Sequence, residues 1–198
     1  MLHSLQPRLL LSRFRLRIGV FLCVVALTGV ARAYVLEGGK LQGLSVNIQM
    51  KLSSTASSLG SLVPAFPLAD GSTSWEQVFN AAAGIWNGVM ANLQLTTTVS
   101  PATNLGTEDR LNEDYFGTSI AGSTLDQNTL ALTVYYSDGT TIFEADTAFN
   151  STWPWNSYRG PLLSNGVIDF RRVAIHEIGH LLGLADINGT NPPAINGY

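Results

Sequence analysis

Cysteine is almost absent from this sequence of 198 residues, because Cys23 is the only one. Cys23 lies in an uncharged apolar run, Ile18–Val30, that follows four arginines and precedes Ala-Arg-Ala at residues 31–33. A basic start, a short apolar core and a small-x-small site are typical of a secretory signal peptide. Cleavage after Ala33 would leave residues 34–198, a chain that has neither disulfides nor thiol chemistry.

A long hydrophobic run is also lacking. The apolar run has 13 residues, whereas a permanent transmembrane helix needs about 20. No glycine or alanine directly precedes Cys23, which disfavours a lipoprotein anchor. An uncleaved N-terminal membrane anchor is the alternative to a signal peptide. We therefore expect a secreted or periplasmic protein with no permanent membrane anchor.

Positive charge is scarce in the expected mature chain. Five of the 11 Lys and Arg residues lie in the first 33 positions, whereas all 14 acidic residues follow them. Residues 34–198 therefore carry six basic and 14 acidic side chains, a net charge of −8. Nucleic acids and anionic membrane surfaces are polyanions, so this balance excludes both as expected partners.

No repeat or coiled coil is present in the sequence, and we expect a monomer.

Hydrophobic periodicity predicts one α+β domain in the order strand, helix, three strands, helix. The predicted strands are residues 44–52, 93–99, 130–136 and 140–149, and the predicted helices are residues 75 to about 90 and 170 to about 184. Ser74 and Gln77 predict a capping box at the first helix. Trp75 and Trp86 fall on the apolar stripe of that helix, which favours a buried face over a ligand box. Residues 100–128 are polar and rich in turn formers, so we expect a long surface excursion there.

One motif in the last predicted helix is typical of a catalytic metal site. Residues 176–180 read His-Glu-Ile-Gly-His, and histidines four apart lie one turn apart on the same helix face. His176 and His180 can therefore bind one metal ion. Zinc is the metal expected for two imidazoles plus an oxygen ligand. Glu177 can accept a proton from a water whose pKa the metal lowers.

The residues that follow the motif extend it. Gly183 stands where a helix needs a left-handed residue to end, and Asp186 follows three positions later. The only other histidine in the chain is His3, within the expected signal peptide, so a third protein ligand must be oxygen. Asp186 is the best-placed carboxylate. The alternatives are a loop aspartate at position 186 and, for the motif as a whole, two surface histidines without a metal.

The pattern His-Glu-x-x-His-x-x-Gly-x-x-Asp, residues 176–186, resembles the metzincin zinc signature, with aspartate as third ligand as in the snapalysin group. Residues 173–184, preceded by Asp169, are most similar to the matrixin-like branch. The resemblance implies a mixed twisted sheet with an N-terminal helix and an active-site helix. It also implies an edge strand that pairs antiparallel with the substrate backbone, here residues 130–136. Its zinc ligands would be His176, His180 and Asp186, with Glu177 as the catalytic base.

The sequence departs from this family in ways that bear on activity. No methionine follows Asp186 to form the methionine turn, since the methionines are Met1, Met50 and Met90. The chain also stops 12 residues later, which removes the usual wall of the S1′ pocket. We therefore expect the catalytic domain, residues 34–198, to be incomplete at its C terminus, with the C-terminal subdomain truncated. Residues 34–198 contain no cysteine for the matrixin latency mechanism and no further histidine for a structural zinc.

The leading hypothesis is a secreted zinc endopeptidase that acts on peptide or protein substrates. The alternative is a non-catalytic or degenerate zinc-binding surface domain, and a metal-free structural protein is a third reading. Calcium is a further cofactor to consider, because Asp138, Asp146 and other acidic loop residues offer oxygen ligands. No loop has a recognisable calcium spacing, however.

Overall fold

The fold is described by a computed structural model covering residues 35–36, 39–41, 43–52, 67–100, 105–163 and 166–186. All of these residues belong to one compact unit, Tyr34–Tyr198. The expected signal peptide, residues 1–33, lies outside the described residues. Within the described ranges, no helix has the length and apolar character needed to cross a membrane.

Two helices and a mixed sheet make up this α+β domain. The helices are α1 (Trp75–Val89) and α2 (Phe170–Leu181). The strands are β1 (Val35–Leu36), β2 (Lys40–Leu41), β3 (Ser45–Lys51), β4 (Gln94–Val99), β5 (Asn112–Gly117), β6 (Ser119–Ile120), β7 (Ser123–Thr124), β8 (Ala131–Ser137), β9 (Thr141–Asn150), β10 (Trp155–Asn156), β11 (Ile168–Asp169) and β12 (Leu184–Ala185). The predicted strands and helices are confirmed to within a few residues at their ends.

The main sheet has the order β2-β9-β5-β3-β4, and β8 also pairs with β9. All of these pairs are parallel except β8 with β9, which is antiparallel. Among the described residues β8 pairs with no other strand, so its outer edge is a sheet edge. The expectation that residues 130–136 form an edge strand is therefore confirmed.

The prediction that residues 100–128 form a surface excursion is wrong. β5 lies in this range and is an interior strand of the sheet, between β3 and β9. Its residues Glu113, Asp114 and Tyr115 are each at most 5% exposed. This strand was not predicted from the sequence, because consecutive acidic residues are rare in a buried strand.

Helix α1 packs on one face of the sheet and begins as the sequence predicts, with one difference. The Ser74 hydroxyl accepts the Gln77 backbone N–H at 3.1 Å, the first half of a capping box. The Gln77 side chain accepts the Thr73 backbone N–H instead of that of Ser74. Trp75 is 2% exposed, which confirms the buried helix face.

A buried aromatic cluster anchors the start of α2 to the sheet and to α1. Phe170, the first residue of α2, lies 4.7 Å from Phe149 of β9 and 5.2 Å from Trp75, measured between ring centroids. At the middle of α2, the Trp86 indole N–H donates to the Ile175 carbonyl at 2.9 Å. These contacts fix α2, which carries the predicted site, against both α1 and the sheet.

Candidate metal centre

Helix α2 carries His176 and His180 on one face and Glu177 on another. Asp169 caps the helix, its carboxylate accepting the Arg171 backbone N–H at 3.3 Å. His176 is exposed and His180 is half-buried, on the same side of the helix. Glu177 is only 5% exposed and faces the sheet. The spacing predicted from the sequence therefore produces two accessible imidazoles beside one buried carboxylate.

Asp186 meets these two imidazoles after the helix has ended. Its Oδ1 lies 3.2 Å from His176 Nε2 and 3.5 Å from His180 Nε2, and the two Nε2 atoms are 3.1 Å apart. Tetrahedral zinc ligands at about 2.0–2.1 Å from the ion lie about 3.3 Å from one another. The triangle of ligand atoms therefore has the dimensions of three corners of a zinc tetrahedron.

No comparable group occurs elsewhere in the part of the chain that the structure describes. The search covered sets of three or more His, Cys, Asp or Glu side chains among the described residues. Only His176, His180 and Asp186 form a set whose ligand atoms all lie within 4.8 Å of one another. The structure thus brings together all three residues that the sequence predicts as metal ligands. Their chemistry, two imidazoles and one carboxylate, suits zinc.

A second contact fixes the tautomer of His180. Its Nδ1 lies 2.7 Å from the Leu184 carbonyl oxygen, which can only accept a hydrogen bond. Nδ1 therefore carries a proton, and in the neutral imidazole the lone pair is on Nε2, the atom that faces His176 and Asp186. Histidine ligands of metals are commonly oriented in this way, by a hydrogen bond from the other ring nitrogen.

Gly183 turns the chain back so that Asp186 reaches the histidines. Its φ is +87°, in the left-handed region. A Cβ at this position would lie 2.5 Å from the Gly39 carbonyl oxygen. The next residues form β12, which pairs antiparallel with β1. The N-terminal segment of the described chain therefore holds the turn that presents the third ligand.

We expect Gly183→Ala to lower the free energy of unfolding by at least about 1–2 kcal/mol and to weaken zinc binding. The cost combines a left-handed alanine with a backbone clash. Gly139→Ala is the matched control, because Gly139 has φ +90° but open space around its Cβ position. Urea unfolding and zinc titration of both variants check this. Equal losses in the two variants would mean that the contact with Gly39 does not matter.

Glu177 is held from the sheet side by Thr133 of the edge strand. The Thr133 hydroxyl lies 2.7 Å from Glu177 Oε2 and donates to it. Burial raises the pKa of Glu177, while the hydrogen bond from Thr133 and the nearby histidines act in the opposite direction. The carboxylate is thus oriented by a strand that the sequence pattern did not connect with the motif.

The contacts of Thr133 continue into the sheet along one row of side chains. Thr133 and Thr147, here called the threonine pair, are register partners on β8 and β9, and their hydroxyl oxygens are 3.0 Å apart. Asp114 on β5 is the register partner of Thr147. Thr147 and Asp114 are each 1% exposed. None of these three residues was predicted as part of the site, because the pairing of three strands is not visible in any local sequence pattern.

A cleft of about 520 Å³ opens beside His176 and Glu177. One side is formed by the start of β8 and the other by the segment that precedes α2. Its apolar lining includes Leu130, Ala131, Tyr158, Leu162 and Val173. This side of the cleft was not predicted from the sequence. In the metzincins, which the signature resembles, the wall of the S1′ pocket follows the zinc signature, whereas Tyr158 and Leu162 precede it.

The acidic residues considered for calcium lie in two different settings. Asp138 lies in the turn between β8 and β9 and accepts the Thr140 and Thr141 backbone N–H groups. Asp146 is fully buried beside Glu113 and Glu144, and burial raises the pKa of Asp146 to about 8. One carboxyl oxygen of each of these three buried residues has no hydrogen-bond partner among the described residues. Their ligand atoms do not converge as those of the histidine site do, so calcium binding stays a prediction.

Comparisons with known proteins add no assignment, since no protein-family model matches the sequence and no curated protein does. The functional interpretation therefore depends on the geometry of the site.

Proposed function

We propose that this protein is a zinc-dependent endopeptidase with a metzincin-like catalytic domain. The observation that carries the proposal is the triangle formed by His176, His180 and Asp186, with edges of 3.1–3.5 Å. Directly beside it lies Glu177, a buried carboxylate. A two-histidine, one-carboxylate set that leaves a fourth position open is typical of catalytic zinc sites.

The residues of the chain divide the chemistry between them. His176, His180 and Asp186 would hold zinc, which would supply a Lewis acid for the scissile carbonyl and would lower the pKa of the attacking water. Glu177 accepts the proton of that water as general base and then delivers it to the leaving amine. Thr133 holds Oε2 of Glu177, so Oε1 is the oxygen available for this transfer. Asp186 as the third ligand would cancel more of the charge on the metal than a third imidazole, so the pKa of the water would be less strongly lowered.

The edge strand and the cleft suit an extended peptide as substrate. β8 has an outer edge that can pair antiparallel with a peptide backbone, as in β-strand addition. The apolar cleft lies beside Glu177, and we propose that it accepts an apolar side chain of the bound peptide. A net charge of −8 for residues 34–198 is consistent with a peptide or protein substrate rather than a nucleic acid.

The alternative function, a zinc-binding surface domain without catalytic activity, makes a different prediction. Zinc-loaded protein is incubated with a denatured protein substrate, and new peptide termini are identified by mass spectrometry. The control carries His176→Ala and His180→Ala. New termini that form with the wild type and not with the double variant support the endopeptidase. Stoichiometric zinc binding without any cleavage supports the alternative. Protein that binds no zinc would contradict both and favour the metal-free reading.

We also propose export with removal of residues 1–33. N-terminal sequencing of material recovered from the periplasm or medium is expected to begin at Tyr34, because residues 31–33 have the form cut by signal peptidase. Recovery of an intact N terminus only from detergent-extracted membranes would contradict this proposal.

A further inference from the structure

The chain between β10 and β11 forms a loop whose two arms are held together. Asn156 and Asp169 are register partners in the parallel pair of β10 and β11. The Tyr158 hydroxyl donates to the Val167 carbonyl oxygen at 3.3 Å and accepts the Leu163 backbone N–H at 3.4 Å. Tyr158 is buried, so one fixed side chain contacts both arms of the loop.

Arg172 joins this loop to helix α2 through three contacts. Its Nη2 donates to the Gly160 carbonyl oxygen. Its Nε lies 3.3 Å from Oδ2 of Asp169, the buried residue that caps the helix. Its guanidinium carbon lies 5.5 Å from the centre of the Tyr158 ring. Two nitrogens of one planar group therefore fix the loop and the helix relative to each other.

The loop held in this way forms one side of the cleft beside His176 and Glu177. Tyr158, Leu162 and Leu163 all line the cleft. Leu162 is 57% exposed and Leu163 is 47% exposed. An apolar side chain that enters the cleft would remove this leucine surface from water, which is favourable.

We propose that residues 158–163, here called the loop wall, set the side-chain preference of the cleft and that Arg172 is the positioning residue that holds the loop wall in place. The proposal rests on the endopeptidase activity proposed above. Because Glu177 also lines the cleft, the side chain that enters it belongs to a residue next to the bond that is cut. That residue is large and apolar, since its contacts are with the two leucines of the loop wall.

The first experiment measures this preference in cleavage. A library of peptides identifies the position next to the cleaved bond at which the wild type prefers large apolar residues. Leu162→Ala is expected to lower the ratio of kcat/KM for leucine over alanine at that position at least about tenfold, because the removed carbons contact leucine but not alanine. Leu44→Ala is the matched control, since Leu44 is 75% exposed and is not among the residues that line the cleft. Absence of any such preference, or an unchanged ratio in Leu162→Ala, would overturn the role of the loop wall.

A second set of variants tests whether Arg172 holds the loop wall. Arg172→Lys retains a charge for Asp169, but one ammonium nitrogen cannot occupy the positions of both Nε and Nη2. Amide hydrogen exchange in the loop wall should be at least about tenfold faster in Arg172→Lys and Arg172→Met, with helix α1 unchanged. The ratio for leucine over alanine should fall in both variants as well.

Arg171→Met is the control for this set, because Arg171 is the adjacent arginine and its Nε has no hydrogen-bond partner among the described residues. It should have the exchange rates and the preference of the wild type. Wild-type exchange in both Arg172 variants would overturn the positioning role of Arg172. Faster exchange without any change in preference would reduce Arg172 to a structural residue and would overturn it too.

Binding of small zinc chelators separates this inference from the proposed function, because it needs no cleavage. Hydroxamates that carry an isobutyl or a methyl side chain are titrated into the zinc-loaded wild type, Leu162→Ala and Arg172→Lys. The isobutyl compound should bind the wild type at least about tenfold more tightly than the methyl compound, and this advantage should shrink in both variants. The same result with a protein that cleaves no peptide would support the loop wall and contradict the endopeptidase alone. Equal affinities for the wild type, or no binding of either compound, would overturn the inference even if cleavage is observed.

Discussion

Replacement of Glu177 by glutamine should lower peptide hydrolysis at least about a hundredfold while zinc binding is retained. Glutamine has nearly the same shape and can still accept the hydrogen bond from Thr133, but it cannot take a proton from water. Glu177 lies next to the ligand triangle without being part of it, so its replacement leaves all three ligand atoms in place. Steady-state kinetics and the zinc content of purified protein measure the two effects separately.

The control for this variant is Glu108→Gln, which changes an exposed glutamate outside the site. It should have the wild-type rate. Equal activity in Glu177→Gln and the wild type would contradict the assignment of the general base, and with it the endopeptidase. Loss of zinc from Glu177→Gln would instead show that Glu177 supports the metal site.

The second large effect is expected for Asp186→Ala, in zinc affinity. Asp186 supplies one of three ligand atoms, and its Oδ1 lies 3.2 Å from His176 Nε2. Loss of a residue that merely supports a ligand typically costs 10–100-fold in metal affinity, so loss of a ligand should cost more than about a hundredfold. Asp186→His should retain metal with altered activity, since imidazole can replace the carboxylate.

Asp109→Ala provides the comparison for this series, because Asp109 is also an exposed aspartate in a connecting segment. Competition with a chelating dye gives the zinc affinity of each variant. An Asp186→Ala affinity equal to those of Asp109→Ala and the wild type would make Asp186 an ordinary loop residue. The site would then hold only two protein ligands among the described residues.

The elements with clean periodicity could be predicted from the sequence. Val46, Ile48 and Met50 alternate with polar residues in β3 and are buried as expected. The metal ligands were also predictable, because helical geometry fixes the relation of His176 to His180, and Gly183 marks the turn that brings Asp186 back. Each of these features depends on residues that are close in sequence.

The features that escaped prediction depend on neighbours distant in sequence. β5 was assigned to a loop because Glu113 and Asp114 read as solvent-exposed residues, yet both are buried. The partner of Glu177 is Thr133, 44 positions earlier. Strand register brings Thr133, Thr147 and Asp114 into one row, and register is a property of the sheet that no single segment encodes. The wall of the cleft likewise comes from residues that precede α2.

The dependence of hydrolysis on added zinc tests the central claim most directly. Metal-free protein is titrated with zinc while the cleavage of a peptide substrate is followed, with Glu177→Gln titrated in parallel. The account predicts that the wild-type rate rises from near zero and levels off at one equivalent of zinc, whereas the variant binds one equivalent and stays at least about a hundredfold slower. Zinc binding at one equivalent with no hydrolysis in either protein, or hydrolysis that does not depend on zinc, would contradict it.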